Sequence, residues 1–211
     1  MCRGIAQKDI PMKARISDKL IKFIKKEGIV KTKDLRAIGI SRSYLTTLVK
    51  NGQLQRVSRG LYTIVNSNST SHRTLVEACK RVPNGVICLI SALQFHDITT
   101  QLPSQVWIAI DRKAWFPKEY SIPLRIISFS GKALSEGIET HKVEGVSLKV
   151  YCVAKTIADC FKYRNKIGLD VAIEALRDAH RKRKCTMDEI WHFARICRVT
   201  NVIRPYLESI V

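Results

Sequence analysis

Acidic side chains are scarce in this chain. Among 211 residues, Asp and Glu number 18 against 37 Lys and Arg, a formal charge of +19. That imbalance disfavours cationic partners and points to an acidic polymer or surface. Long hydrophobic runs are missing too. No apolar stretch reaches the roughly 20 residues of a membrane span, and no signal-peptide hydrophobic segment follows Met1, so neither an integral membrane protein nor a secreted one is expected. Membrane-surface binding has little support, since no strongly apolar face opposes the basic one. Repeats and low-complexity segments are absent. The seven cysteines (Cys2, Cys79, Cys88, Cys152, Cys160, Cys185, Cys197) are odd in number, contain no CxxC pair and have no histidine at zinc-ligand spacing. Most lie in apolar settings, where free cysteine acts as a small hydrophobe. No metal, no other cofactor and a cytoplasmic location are therefore expected.

What is present concentrates near the start. Residues 1–65 hold 15 basic and 4 acidic side chains, a net +11 in under a third of the chain. Within them, residues 41–62 read SRSYLTTLVKNGQLQRVSRGLY. Tyr44, Leu45, Leu48 and Val49 fall at helical spacing, Ser41 is a plausible N-cap, and Asn51-Gly52 closes the helix. The opposite face carries Arg42, Ser43, Thr46, Thr47 and Lys50, polar or basic and never acidic. Residues 53–57 and 61–65 then read as two short strands joined by Ser58-Arg59-Gly60. A polar helix followed by a basic hairpin is the pattern of a winged helix-turn-helix, with the helix in a major groove and the wing along phosphates. The expected DNA contacts are Ser41, Arg42, Ser43, Thr46, Thr47 and Lys50 on the helix, and Arg56, Ser58 and Arg59 on the wing. Lys31 and Thr32, at the start of a preceding short helix, add a cation and a backbone N–H for a phosphate.

In chain order, residues 1–12 read as a loose tail, and Ile16, Leu20, Phe23 and Ile24 form a helical stripe stopped by Gly28. Lys22, Lys25 and Lys26 on that helix read as a solvated face. Leu35 and Ile38 face inward from the helix that Thr32 caps, and Gly39 turns the chain toward Ser41. Residues 66–70 are a polar connector, placing a first domain at 1–65 and a second at 71–211. A helix follows, ended by Pro83-Asn84-Gly85; residues 86–95 fit helix or buried strand equally. Strands are expected at 104–110, 123–130, 138–143 and 146–151, the last two split by the Glu144-Gly145 turn. From Cys152 the pattern is helical, with a capping box at Thr186 to Glu189. The expected fold class is α+β: a winged helix-turn-helix domain, then a small, mainly antiparallel sheet and a helical bundle.

Three segments, GQLQRVSRGLYTI, SALQFHDITTQLPSQVWIAI and VAKTIADCFKYRNKIGLDVAIEALRDA, resemble the AbiEi antitoxins of type IV toxin–antitoxin (abortive infection) systems. The resemblance spans nearly the whole chain. It implies a winged-helix domain that represses its own operon by binding double-stranded promoter DNA at inverted repeats. It also implies a second domain that counteracts a nucleotidyltransferase-like toxin, without a stable complex. The matching antitoxicity helix supplies Lys155, Thr156, Asp159, Phe161, Lys162, Arg164 and Asn165. Asp97 stands where the family favours glycine, and Cys152-Val153 where it favours a serine-proline helix start.

No catalytic residues are expected. The alternative is a metal-dependent nuclease of the PD-(D/E)xK type, from Asp111 and Lys113 at a strand end, but no second carboxylate precedes them on a neighbouring strand. A third class is a pure interaction module meeting an acidic protein or RNA. Lys155 and Asp159, one helical turn apart, read as a surface ion pair. The basic run from His180 to Lys184 reads as a solvated loop or a second phosphate contact.

Overall fold

The computed structural model describes residues 20–24, 27–65, 72–114 and 122–210. The tail at 1–12, Ile16, Lys25, Lys26 and the connector at 66–70 lie outside them. The chain divides into two compact units, one drawn from residues 1–70 with Glu144–Val146, the other from Ser71–Val143 and Ser147–Val211.

In the first unit, helical residues 20–24 bury Leu20 and Ile24, and Gly28 reverses the chain at φ 65°. Strand β1 (Val30–Lys31) leads directly into helix α1 (Thr32–Ala37), and α2 (Arg42–Lys50) follows. Strands β2 (Leu54–Ser58) and β3 (Leu61–Ile64) complete an antiparallel sheet in the order β1-β3-β2. Leu20, Ile24, Val30, Leu35, Ile40, Leu45, Leu48 and Leu54 form one apolar cluster. Strand β1 escaped the sequence reading because two residues are too few to show an alternation. Ile38, expected to face inward, is 42% exposed: it is the C-cap of α1, beyond the turn that buries Leu35.

The second unit starts with α3 (Arg73–Arg81) and β4 (Val86–Ile87), then α4 (Leu89–Phe95). The ambiguous apolar run is thus a two-residue strand followed by a helix. Strands β5 (Val106–Asp111) and β6 (Leu124–Phe129) precede a short helix α5 (Lys132–Ser135). Strands β7 (Ile138–Val143) and β8 (Val146–Tyr151) are joined by Glu144 and Gly145, both at positive φ, as a two-residue hairpin turn requires. The sheet runs β6-β5-β4-β8-β7. It is mixed: β4 pairs antiparallel with β5, but β4 with β8 and β5 with β6 pair parallel.

Helices α6 (Val153–Lys162), α7 (Arg164–Ile167), α8 (Leu169–Arg181), α9 (Met187–Cys197) and α10 (Thr200–Glu208) close the unit. Helix α6 is its centre, packed against α4, α8, α9 and α10, with every residue but Lys162 buried. The Thr186–Glu189 capping box opens α9: Thr186 Oγ1 accepts from the Glu189 N–H, and Glu189 Oε2 accepts from the Thr186 N–H at 2.7 Å. Among the described residues no helix is long and apolar enough to cross a membrane.

Candidate nucleic-acid interface

Helix α2 is set by its own termini. Ser41 Oγ accepts from the Tyr44 N–H at 3.2 Å, and Leu45 and Leu48 anchor the inner face. This leaves Arg42, Ser43, Thr46, Thr47 and Lys50 exposed together on the outer face, with no acidic residue on the helix. The threonine hydroxyls donate back along the helix, Thr46 to the Arg42 carbonyl at 3.1 Å and Thr47 to the Ser43 carbonyl at 3.2 Å. Their protons are occupied. The groups they present outward are oxygen lone pairs and methyls, which suit base amino groups and thymine methyls.

The wing is a tight hairpin with one irregularity. Arg56 pairs with Tyr62 and Ser58 with Leu61, so the register slips at Val57. A bulge increases local twist and re-aims neighbouring side chains. Arg56 and Arg59 are exposed, Ser58 half-buried, and Arg56 Nε donates to the Ser58 carbonyl at 3.4 Å. Gly60, at φ 76°, makes the turn after Arg59.

Lys31 and Thr32 require a correction. Lys31, not Thr32, is the N-cap of α1, and Thr32 is its first residue. The Thr32 N–H and hydroxyl both donate to the Gly60 carbonyl, at 2.9 and 3.2 Å, and the Lys31 N–H donates to Asp34 Oδ2 at 3.3 Å. The Thr32 donors thus pin the wing to α1, and the Lys31 amide is taken up within α1. The Thr32 bonds hold the turn that carries Arg59.

In the second unit the seven expected antitoxicity residues separate by depth. Lys155, Thr156, Asp159 and Phe161 are at most 1% exposed. Lys155 Nζ donates to Asp159 Oδ2 and lies 4.2 Å from the Tyr151 ring centre and 4.8 Å from that of Phe129. Cys197 Sγ donates to the other carboxylate oxygen, Asp159 Oδ1, at 3.2 Å. The Thr156 hydroxyl donates to the Tyr151 carbonyl at 3.1 Å. The expected surface ion pair is therefore a core one. Burial pushes the Asp159 carboxyl up, against the opposing pull of Lys155 and Cys197. The same desolvation raises the thiols of Cys88 and Cys160, so neither is poised as a nucleophile. Lys162 and Asn165 are exposed; half-buried Arg164 caps α6 by donating to the Phe161 carbonyl at 2.9 Å. Sequence reasoning missed Phe129, Tyr151 and Cys197 as partners of this pair. Nothing in α6 itself signalled this: Lys155, Thr156, Asp159 and Lys162 share one stripe, the pattern of a helix with a solvated face.

Asp111 ends β5, exposed, with its Oδ1 accepting from the Lys113 N–H at 2.7 Å. It closes a turn there, and no cluster of three His, Cys, Asp or Glu able to hold a metal occurs among the described residues.

Comparison with known proteins bears on the helix and wing. Residues 18–65, which include α2 and both wing strands, match the family model described as "Transcriptional regulator, AbiEi antitoxin". This segment matches the AbiEi family. No curated protein matches the chain. Among solved structures, the RV2827C protein from Mycobacterium tuberculosis resembles it with a TM-score of 0.58 at 12% identity, over 89% of this chain and 73% of that one. At that identity the likeness is one of fold. The AbiEi match bears out a DNA-binding regulator domain at the start of the chain, and the α+β architecture is the one expected.

Proposed function

We propose that the protein is a cytoplasmic autorepressor and antitoxin of a type IV system, acting on its own promoter and counteracting a nucleotidyltransferase-like toxin. The observation that carries the reading is the exposed, acid-free face of α2 beside a two-arginine wing, inside the segment that matches the AbiEi regulator model. Arg42, Lys50, Arg56 and Arg59 supply phosphate contacts, which set affinity and register. Ser43, Thr46 and Thr47 face base edges and supply discrimination. Ser41 and Thr32 act indirectly, fixing the helix and the wing. In the second unit Lys162 on α6 and Asn165 on α7 are the antitoxicity residues that a partner can reach, and Lys155 and Asp159 hold α6 in place.

A gel-shift titration of the full chain against its own upstream region tests this. A shift at lower concentration than on a scrambled duplex of equal length, without metal-dependent cleavage of the shifted DNA, is expected. Equal affinity for both duplexes would leave only a non-specific basic protein, and cleavage would favour the nuclease.

A further inference from the structure

A cavity of about 500 Å³ lies in the second unit where three element ends meet. The β6–α5 turn contributes Ser128, Ser130 and Lys132, the end of α6 contributes Lys162, and the residues flanking the end of α9 contribute Ile196 and Arg198. Tyr163 and Phe129 form an aromatic wall, stacked on each other at 5.6 Å with 16° between their planes. No carboxylate lines the space. Glu136 reaches Lys132 at 3.8 Å; among the described residues neither Lys162 nor Arg198 has an ion pair.

Lys162 and Arg198, beside Lys132 at one concavity, repel one another unless an anion joins them. Arg198 adds a second argument. It sits at the C-cap of α9 in the left-handed conformation, φ 59° and ψ 44°, at a helix end where glycine or asparagine is usual. An arginine there is strained, and its exposed side chain at the cavity offers that residue a use. At this cavity the use is a planar fork that binds a phosphate through two parallel N–H donors. The volume is that of a nucleotide site, with lysines and serine hydroxyls for phosphates; Phe129 covers one face of Tyr163 and Lys166 Nζ lies 5.5 Å from its ring centre, which leaves the ring edge for a base.

We infer that this cavity binds a phosphorylated nucleotide, with Lys132, Lys162 and Arg198 on its phosphates and the edge of the Tyr163 ring toward its base. The site lies wholly in the second unit and goes beyond the proposed roles in repression and toxin neutralisation. Calorimetric titration of the full chain at physiological salt tests it, with ADP, inorganic pyrophosphate and adenosine as probes. ADP binds most tightly, pyrophosphate less tightly, and adenosine not measurably. Lys162→Gln, an exposed position whose change spares the fold, weakens ADP by roughly tenfold, the loss of one charge-assisted contact. Arg198→Asn, which keeps the left-handed backbone, does the same, while Arg204→Gln on the exposed face of α10 leaves binding unchanged. Absence of ADP binding overturns the inference, as does binding that Lys162→Gln and Arg198→Asn leave intact. Binding of an oligonucleotide alone, with ADP and pyrophosphate inert, overturns it in favour of a polymer groove.

Discussion

At the scale of single residues, the most consequential group is Lys155. An ammonium with no exposed surface is tolerable because Asp159 neutralises it, two ring faces receive it and Cys197 satisfies the second carboxylate oxygen. Removing one charge strands the other. Lys155→Ala is expected to destabilise the protein by about 3–5 kcal/mol, and the double change Lys155→Met with Asp159→Leu by less than either single one. Urea unfolding decides this; a loss under about 1 kcal/mol for Lys155→Ala would contradict burial of the pair. Loss of antitoxin activity on changing Lys155 therefore has to be separated from loss of fold. His96 is the second such residue. Its Nε2–H donates to the Tyr151 carbonyl at 2.8 Å, and burial lowers its pKa from 6.5, opposed by that hydrogen bond and by Glu139, with His141 and Lys184 adding to the lowering. Because the folded state resists the proton that the unfolded chain accepts, stability is full above 6.5 and falls as pH drops below it. His96→Gln, which keeps an N–H donor, should flatten that fall below 6.5. Parallel stability curves for the two proteins would contradict the assignment.

At the scale of elements, α2 and the wing were legible because each declares itself locally. A serine cap, a 3.6-residue apolar stripe and an arginine-glycine turn need no distant contacts to be read. The same holds for the Thr186 capping box and the Glu144-Gly145 hairpin. Asp97 shows a subtler signal: the family's glycine preference there corresponds to a left-handed position, and Asp97 adopts φ 56°. Cys152 is likewise the N-cap of α6 with no side-chain hydrogen bond to the helix, where a serine would supply one. Illegible were features made by elements far apart in sequence. The bond from Thr32 to the wing links residues 28 positions apart, and the burial of Lys155 depends on Phe129, Tyr151 and Cys197. The parallel pairing of β5 with β6 leaves no trace in either strand. Helix α2 carries a prediction of its own. With the Thr47 proton held by the Ser43 carbonyl, Thr47→Ala should shift preference by roughly 1–3 kcal/mol at one or two base pairs bearing an amino donor or a thymine methyl. Lys50→Gln should weaken all sequences alike. Affinities across duplexes with single base changes would show it; uniform losses for both variants would mean that α2 does not read bases.

At the scale of the whole molecule, each unit has its own apolar cluster, and we expect the two activities to separate near residues 66–70. A chain beginning near residue 71 should rescue cells from the neighbouring toxin yet fail to repress the promoter, and Lys162→Glu in the full chain should do the reverse. Rescue and reporter assays on both would check this; a folded second unit that gives no protection would contradict it. The central claim remains that the first unit holds DNA through α2 and a wing pinned by Thr32. The salt dependence of binding to the protein's own upstream duplex tests it most directly, for the wild type and for Arg59→Ala. The wild type should lose affinity steeply with salt, and Arg59→Ala, still folded, should bind more weakly with a slope shallower by about one unit, one phosphate contact fewer. An Arg59→Ala protein with wild-type affinity and wild-type slope would contradict the wing's role.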